Sequence, residues 1–256
     1  MTGLSAKRAC VGAVIAGAVI FGYLDAAQAG RRSQARIAGS GSQTVARRSQ
    51  FTGCTRRGPE IVAHGPAAGD RLALTFDDGP KRWTAPILRE LERLHARATF
   101  FEEGRHVAGH QPVMRKILDS GDEIGNHSTR HHAYPGRADL ARTDRLIHRA
   151  TGFEPCLFRP PYGLLDRRVI AGATRDRLQT VLWSVDSRDD KEPGARVIDQ
   201  NVVDNAYPGA IVLLHDGGAD RRQTIAALPS IVRGLRRRGY RLVTVAGLLG
   251  ERMRRQ

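Results

Sequence analysis

Two adjacent aspartates and a pair of histidines are the residues of this chain best suited to chemistry. Asp77 and Asp78 end a short apolar run that begins at Leu72, and His127 and His131 follow further along the chain. One carboxylate and two imidazoles can hold a divalent metal ion, and a second carboxylate beside them can take a proton from water. The sequence therefore predicts metal-assisted hydrolysis.

Alternating strands and helices are predicted from residue 71 onward, because short runs rich in β-branched and aromatic residues alternate with segments of helical period. The predicted strands are Leu72–Phe76, Ala98–Phe101, Glu123–Asn126, Leu157–Arg159, Val181–Val185, Ala210–Leu214 and Arg241–Val245. The predicted helices are Ala85–His95, Pro112–Ser120, Ala138–Thr151, Ala195–Asn205 and Thr224–Arg238. This α/β alternation indicates a parallel sheet, and the number of units favours a distorted (β/α) barrel of about seven strands.

Polar residues follow several of these strands. In a parallel barrel the active site forms at the carboxyl ends of the strands. The residues at those ends are Asp77 and Asp78 after the first strand, His127 after the third, Arg159 in the fourth, Asp186 after the fifth and His215 after the sixth. We therefore expect side chains from five separate segments to converge at one mouth.

Five short segments carry a resemblance to a known family. They are Thr75-Phe76-Asp77-Asp78-Gly79-Pro80, His127-Ser128-Thr129-Arg130-His131, Arg159-Pro160-Pro161-Tyr162, Asp186-Ser187-Arg188-Asp189 and Leu213-Leu214-His215. In this order and spacing, residues 68–250 resemble the polysaccharide deacetylase family, the NodB-type carbohydrate esterases of family 4.

The resemblance implies a metal centre and a base. Asp78, His127 and His131 correspond to the metal ligands, with Zn²⁺ the default ion and Co²⁺ or another divalent metal as alternatives. Asp77 corresponds to the general base, and Arg159 to the cation that keeps this base ionised and oriented.

The resemblance also implies the groups that meet the substrate. The backbone N–H of Tyr162, after two prolines that lack this donor, corresponds to the group that stabilises the oxyanion. His215 corresponds to the general acid, with Asp186 as the carboxylate that raises its basicity, and Leu213 lines the pocket for the acetyl methyl group.

One position departs from the family pattern. Asp190 stands where the family usually has tryptophan. The loss of this aromatic wall weakens stacking on a sugar ring, and Trp183, Trp83 and Tyr134 are the candidates to replace it.

The N-terminal part has a different composition from the rest. Lys7 and Arg8 precede an apolar run and small residues at positions 27–29, a layout that predicts residues 1–29 to be a signal peptide or an uncleaved membrane anchor. Residues 30–67 hold seven arginines against the single acid Glu60 and are predicted to form a basic flexible linker. Residues 251–256 are predicted to form a basic tail. An exported protein, secreted or held at the cell surface, is expected.

The net charge of the 256 residues is +15, and nearly half of it lies before residue 68. This charge fits an anionic cell-surface polymer or membrane surface, or simply a solvated arginine-rich segment. No nucleic-acid partner is expected, because aromatic residues make up only 5% of the chain. A monomer is expected.

Export would leave two cysteines, Cys54 and Cys156, which can form a disulfide or remain as free thiols. Their spacing is not that of a zinc ribbon or a redox pair, so we expect no part for them in the chemistry.

The function implied is removal of N-acetyl groups from N-acetylglucosamine units of a polysaccharide, either peptidoglycan or a chitin-like polymer. Two alternatives stay open. One is an O-acetyl esterase of the same fold acting on xylan, and the other is a non-catalytic module that binds the cell wall.

Overall fold

A curled parallel sheet organises the chain in the computed structural model, which describes residues 51–55, 58–251 and 253–255. The predicted signal or anchor and the first part of the predicted linker lie outside these residues. The strands are β1 (Phe51–Cys54), β2 (Ile61–Val62), β3 (Arg71–Gly79), β4 (Ala98–Glu102), β5 (Glu123–Asn126), β6 (Leu157–Phe158), β7 (Gln179–Val181), β8 (Val185–Asp186), β9 (Ile211–His215), β10 (Arg241–Leu242) and β11 (Met253–Arg255).

Eight of these strands follow the order β2-β7-β6-β5-β4-β3-β9-β8, and β10 pairs with the start of β3. All pairings in this sheet are parallel. No pairing among the described residues joins β2 to β8, so the sheet is a half-barrel surrounded by helices. This architecture confirms the predicted barrel class.

The curl of the sheet follows from the short connection between β7 and β8, which lie towards opposite edges. The four steps from Val181 to Val185 span at most about 14 Å, so the two edges must approach each other. Within this connection the N–H of Leu182 donates to the Val62 carbonyl in β2, and the N–H of Ser184 donates to the Ile211 carbonyl in β9. The predicted single strand Val181–Val185 is therefore wrong: it is two strands, because the backbone changes partners at this point.

The helices pack against the convex face of the sheet. They are α1 (Thr84–Arg93), α2 (Gly104–Val107), α3 (Gln111–Asp119), α4 (Arg137–Thr151), α5 (Arg167–Arg175), α6 (Ala195–Asn205), α7 (Arg222–Arg237) and α8 (Val245–Leu249). Their apolar residues recur at helical spacing, as Ile87, Leu88 and Leu91 do in α1, and these three are fully or almost fully buried. No helix in the described part of the chain has the length and apolar character needed to cross a membrane.

Residue alternation in β3 decides which side chains reach the concave face. Leu74 and Phe76 are buried in the core, where Phe76 stacks on Phe100 with ring centroids 5.2 Å apart. Thr75 and Asp77 point to the other face, because successive side chains of a strand alternate. The same β3 register that gives the protein its core therefore presents Asp77 to the interior of the half-barrel.

The folded part extends beyond the predicted boundaries at both ends. β2 lies within the predicted linker yet pairs with β7, and β1 pairs antiparallel with β11 inside the predicted tail. A disulfide joins Cys54 in β1 to Cys156 just before β6, across 102 residues of sequence. The second half of the predicted linker is thus attached to the domain by hydrogen bonds and by a covalent bond.

Replacing both cysteines by serine should lower the free energy of unfolding by about 2–5 kcal/mol, because the bond closes a long loop in the unfolded chain. Urea unfolding of the oxidised protein and of the double variant measures this difference. A reductant should shift the wild-type midpoint to that of the variant and leave the variant unchanged. Equal midpoints for the oxidised protein and the variant would contradict a stabilising role for the bond.

Candidate active site

The concave end of β3 brings the predicted residues together through strand register. Thr75 lies opposite Leu213 in β9, and Asp77 lies opposite His215. Because residues two apart on a strand share a face, Leu213 and His215 face the same interior as Thr75 and Asp77. Two neighbouring strands therefore place the predicted base and the predicted acid side by side.

Arg159, directly after β6, is fully buried and holds Asp77. Its Nη1 donates to Asp77 Oδ1 at 2.8 Å and to Thr75 Oγ1 at 2.7 Å, and its Nη2 donates to the Leu182 carbonyl at 3.0 Å. The guanidinium also lies 4.2 Å from the ring centroid of Phe101. These contacts fix the position of the Asp77 carboxylate.

Asp78, His127 and His131 meet beside Asp77. Asp78 Oδ1 lies 3.4 Å from His127 Nε2 and 3.3 Å from His131 Nε2. His127 Nδ1 is hydrogen-bonded to the Arg159 carbonyl at 2.8 Å, so a proton on Nδ1 leaves Nε2 as the nitrogen that faces Asp78. Arg159 thus orients the predicted base with its side chain and a predicted ligand with its backbone.

The electrostatics of this group suit metal binding. Burial alone raises the pKa of Asp78, but contact with His127 and the charges of the surrounding histidines hold it well below its usual range. Burial and the neighbouring His127 lower the pKa of His131, whereas at His127 burial is outweighed by the charges of Asp77 and Asp78, which raise the pKa, as a site that attracts cations does. An ionised carboxylate and a neutral imidazole are the forms in which these side chains bind metals.

The donor set fits a catalytic divalent ion. One carboxylate oxygen and two imidazole nitrogens lie within 4.8 Å of one another. Asp78 Oδ1 is buried without a hydrogen-bond partner, which is the state of a ligand atom that needs a cation. Three protein ligands of this kind leave coordination positions for water and substrate. A second cluster, Cys54, Glu123 and Cys156, does not fit, because its two sulfurs are joined to each other.

Backbone strain is concentrated at this site. Asp78, Ser128, His131 and Tyr162 all have positive φ, between 57° and 75°, a region that L-residues with side chains seldom occupy. The Asp78 backbone also requires glycine at position 217, because a Cβ on Gly217 would lie 1.9 Å from the Asp78 carbonyl oxygen. Strained residues persist where the surroundings hold them, and such residues cluster at functional sites.

Asn126 and Ser128 build the loop that carries the two histidines, and motif reasoning assigned them no role. Asn126 Nδ2 donates to the Leu140 carbonyl and to Asp144 Oδ1, while its Oδ1 accepts the N–H of Ser128 at 2.8 Å. Ser128 Oγ in turn accepts the N–H of His131 at 3.0 Å. In the sequence, the one sign of this role was that Asn126 is a polar residue at the end of a buried strand.

Asp189, rather than Asp186, holds His215. Asp189 Oδ1 lies 2.7 Å from His215 Nδ1, and Asp189 Oδ2 accepts the His215 N–H at 3.0 Å and the Thr224 hydroxyl at 2.8 Å. Burial lowers the pKa of His215, but the hydrogen bond and charge of Asp189 outweigh this effect and raise it to about 9.

The prediction that Asp186 partners His215 is therefore wrong. Asp186 ends β8 as an exposed residue, and its Oδ1 accepts the N–H of Arg188. Arg188 has a positive φ of 55°, and the turn that it starts brings Asp189 back beneath β9. Asp189 is the second acid of the same segment, and only the turn geometry distinguishes the two.

The remaining predicted residues surround this centre. The ring of Tyr162 packs edge-on against His131, with centroids 4.5 Å apart. Leu213 is 6% exposed on β9. Trp183 borders the site, 5.7 Å from the Arg159 guanidinium, whereas Trp83 donates its ring N–H to the Ala219 carbonyl.

Comparisons with known proteins point to one family. Residues 64–181 match the family described as polysaccharide deacetylase. A peptidoglycan-N-acetylglucosamine deacetylase of Bacillus cereus is 43% identical over 187 residues, which cover 70% of this chain and 87% of that protein. A chitooligosaccharide deacetylase of Bradyrhizobium sp. is 34% identical over 199 residues, covering 70% and 91%. The crystal structure of the Bc1960 peptidoglycan N-acetylglucosamine deacetylase superimposes with a TM-score of 0.73 at 31% identity, covering 77% of this chain and 95% of that one.

The protein should bind one divalent metal ion per chain, and Asp78→Ala should weaken this binding by about 100-fold, because the variant loses a candidate charged ligand. Isothermal titration with zinc measures the affinity. Asp186→Ala is the matched control, since it removes an exposed acid and should leave the affinity unchanged. Equal affinities of the two variants would contradict the assignment of Asp78.

In the metal-free protein, NMR titration should place the pKa of His215 at about 9. Asp189→Asn should lower this pKa towards the ordinary value of about 6.5, because the carboxylate that stabilises the imidazolium is lost. Asp186→Asn should leave it unchanged. If only Asp186→Asn changed the pKa of His215, Asp186 and not Asp189 would be the partner of this histidine.

Proposed function

Because this chain belongs to the polysaccharide deacetylase family, the family 4 carbohydrate esterases, we propose that it removes N-acetyl groups from N-acetylglucosamine units of a cell-wall polysaccharide. The chain is a hydrolase, as its named relatives are. The observation that carries the proposal is the grouping of three ligand atoms on Asp78, His127 and His131 beside an arginine-held Asp77.

Asp78, His127 and His131 would hold the metal. A divalent ion bound there polarises the substrate carbonyl and makes water more acidic. We propose Zn²⁺ as this ion, with Co²⁺ as the alternative, because one carboxylate and two imidazoles suit either.

Asp77 is the proposed general base. Its Oδ1 is occupied by Arg159, and its Oδ2 lies 3.9 Å from His127 Nε2, on the side of the ligand cluster. Arg159 occupies one carboxylate oxygen and leaves Oδ2 free to accept a proton from the attacking water. Arg159 acts as a positioning residue, because it works through Asp77.

His215 is the proposed general acid. With its pKa raised to about 9, the imidazole carries a proton at neutral pH. Asp189 holds Nδ1, so Nε2 is the nitrogen that delivers a proton to the leaving amine. An amide needs this step more than an ester does, because an amine leaves only after it is protonated.

Tyr162 and Leu213 are proposed to receive the acetyl group. The left-handed conformation of Tyr162 follows two prolines that have no N–H, so Tyr162 supplies the first backbone donor of this turn. Its N–H is the proposed donor to the oxygen that gains negative charge during attack. Leu213, an apolar residue two positions before His215, forms a wall for the methyl group.

Export to the cell surface fits this substrate. The disulfide between Cys54 and Cys156 favours an oxidising compartment, and the N-terminal layout predicts an exported protein. The relatives include peptidoglycan deacetylases. The basic segment after residue 29 is proposed to attract the protein to anionic polymer at the wall.

Purified protein with zinc should release acetate from N-acetylglucosamine oligomers or from peptidoglycan, and a chelator should abolish this release reversibly. Asp77→Asn should reduce kcat by about 10²–10⁴ while zinc binding is retained, because only the base is lost. Asp186→Asn serves as the control and should remain active.

Acetylated xylan is the comparison substrate. Release from xylan without release from the N-acetylated glycans would make the chain an O-acetyl esterase. Unchanged turnover in Asp77→Asn would remove this residue from the mechanism.

A further inference from the structure

Exposed aromatic and apolar side chains collect beside the active site. The large hydrophobic residues that are exposed among the described residues are Tyr134, Tyr162, Leu164, Leu165 and Tyr207. All but Tyr207 lie on two loops, one after His131 and the other after Arg159. Tyr134 is 60% exposed, so core packing does not account for an aromatic residue at this position.

A cavity of about 410 Å³ lies between the two loops. Residues 134–137, at the entry to α4, form one wall, and Asp166, Arg168 and Val169, at the entry to α5, form the other. A volume of this size falls in the range of small-ligand sites. The mechanism proposed above uses none of these residues.

The cavity is close to the reacting centre. Tyr134 is three residues from His131, so their Cα atoms are at most about 11 Å apart. Asp166 is four residues from Tyr162, so their Cα atoms are at most about 14 Å apart. Tyr162 and His131 are themselves in ring contact. A polysaccharide with one acetamide in the active site can therefore reach this cavity with a neighbouring sugar.

The lining has the chemistry of a carbohydrate site. An aromatic face packs against the C–H face of a pyranose, and carboxylate and guanidinium groups bond its hydroxyls. Asp166 is held in place because its Oδ1 accepts the N–H of Arg168 at 2.7 Å. Arg137 is held by Asp176, whose Oδ1 accepts from its Nε at 2.6 Å.

We propose that this cavity is a second sugar subsite, in which Tyr134 stacks on a sugar ring of the bound polysaccharide and Asp166 and Arg168 hydrogen-bond its hydroxyls. The proposal rests on the proposed function, since the same polymer occupies both sites. It makes Tyr134 a determinant of the chain length that the enzyme prefers.

Tyr134→Ala tests the subsite with N-acetylglucosamine itself and with its six-unit oligomer. We expect kcat/KM to fall about tenfold on the six-unit oligomer, from loss of one aromatic contact, and to stay unchanged on the single sugar, which cannot fill both sites. Tyr134→Phe keeps the ring and should behave like wild type. Tyr207→Ala, an exposed tyrosine before the amino end of β9, is the matched control and should have no effect.

Equilibrium binding of the six-unit oligomer to the metal-free protein separates this proposal from the proposed function. Tyr134→Ala should bind about tenfold more weakly than wild type, whether or not the wild type releases acetate. If the wild type releases acetate and Tyr134→Ala shows no loss that depends on length, the subsite is refuted. Length-dependent binding without acetate release from any glycan would refute the deacetylase function and leave the subsite. Absence of binding would refute the subsite.

Discussion

The buried ion pair between Arg159 and Asp77 is the contact on which the site depends. A guanidinium without solvent exposure is costly unless its donors are paired, and Arg159 meets this condition with a carboxylate, the Thr75 hydroxyl and the Leu182 carbonyl. These partners come from β3 and from the connection after β7, so the side chain spans the interior of the half-barrel. The ion pair serves to position the Asp77 carboxylate, because a buried ion pair seldom adds net stability.

The scaffold around this pair holds a backbone that would not adopt its conformation alone. Each left-handed residue costs about 1–3 kcal/mol, and Asp78, Ser128, His131 and Tyr162 carry this cost within one site. Hydrogen bonds from Asn126 and Ser128 hold the histidine loop in this conformation. The protein's own hydrogen bonds thereby hold the proposed metal ligands in place.

Hydrophobic pattern and motif order predicted the fold class and brought Asp78, His127 and His131 together, because strand register follows from buried runs such as that in β3. The hydrophobic pattern could not separate β7 from β8, because the backbone changes its hydrogen-bond partner from β2 to β9, and both strands are distant in sequence. It also chose Asp186 over Asp189, because a residue after a strand gives no sign of the turn that follows. Tyr134 was one of three aromatic candidates, and only exposure and cavity geometry distinguish it.

The reacting groups are divided between the two sides of β3, which constrains how a substrate can lie. The segments after β5 and β6 carry His127, His131 and Tyr162, while β9 ends in His215. In the proposed reaction the carbonyl oxygen must therefore face β5 and β6, and the leaving nitrogen must face β9. Exposed Asp190 pairs with Lys191 after β8, and a solvated ion pair offers no face for stacking. On the side of β5 and β6, exposed Tyr134 and Tyr162 offer aromatic rings to the proposed polymer instead.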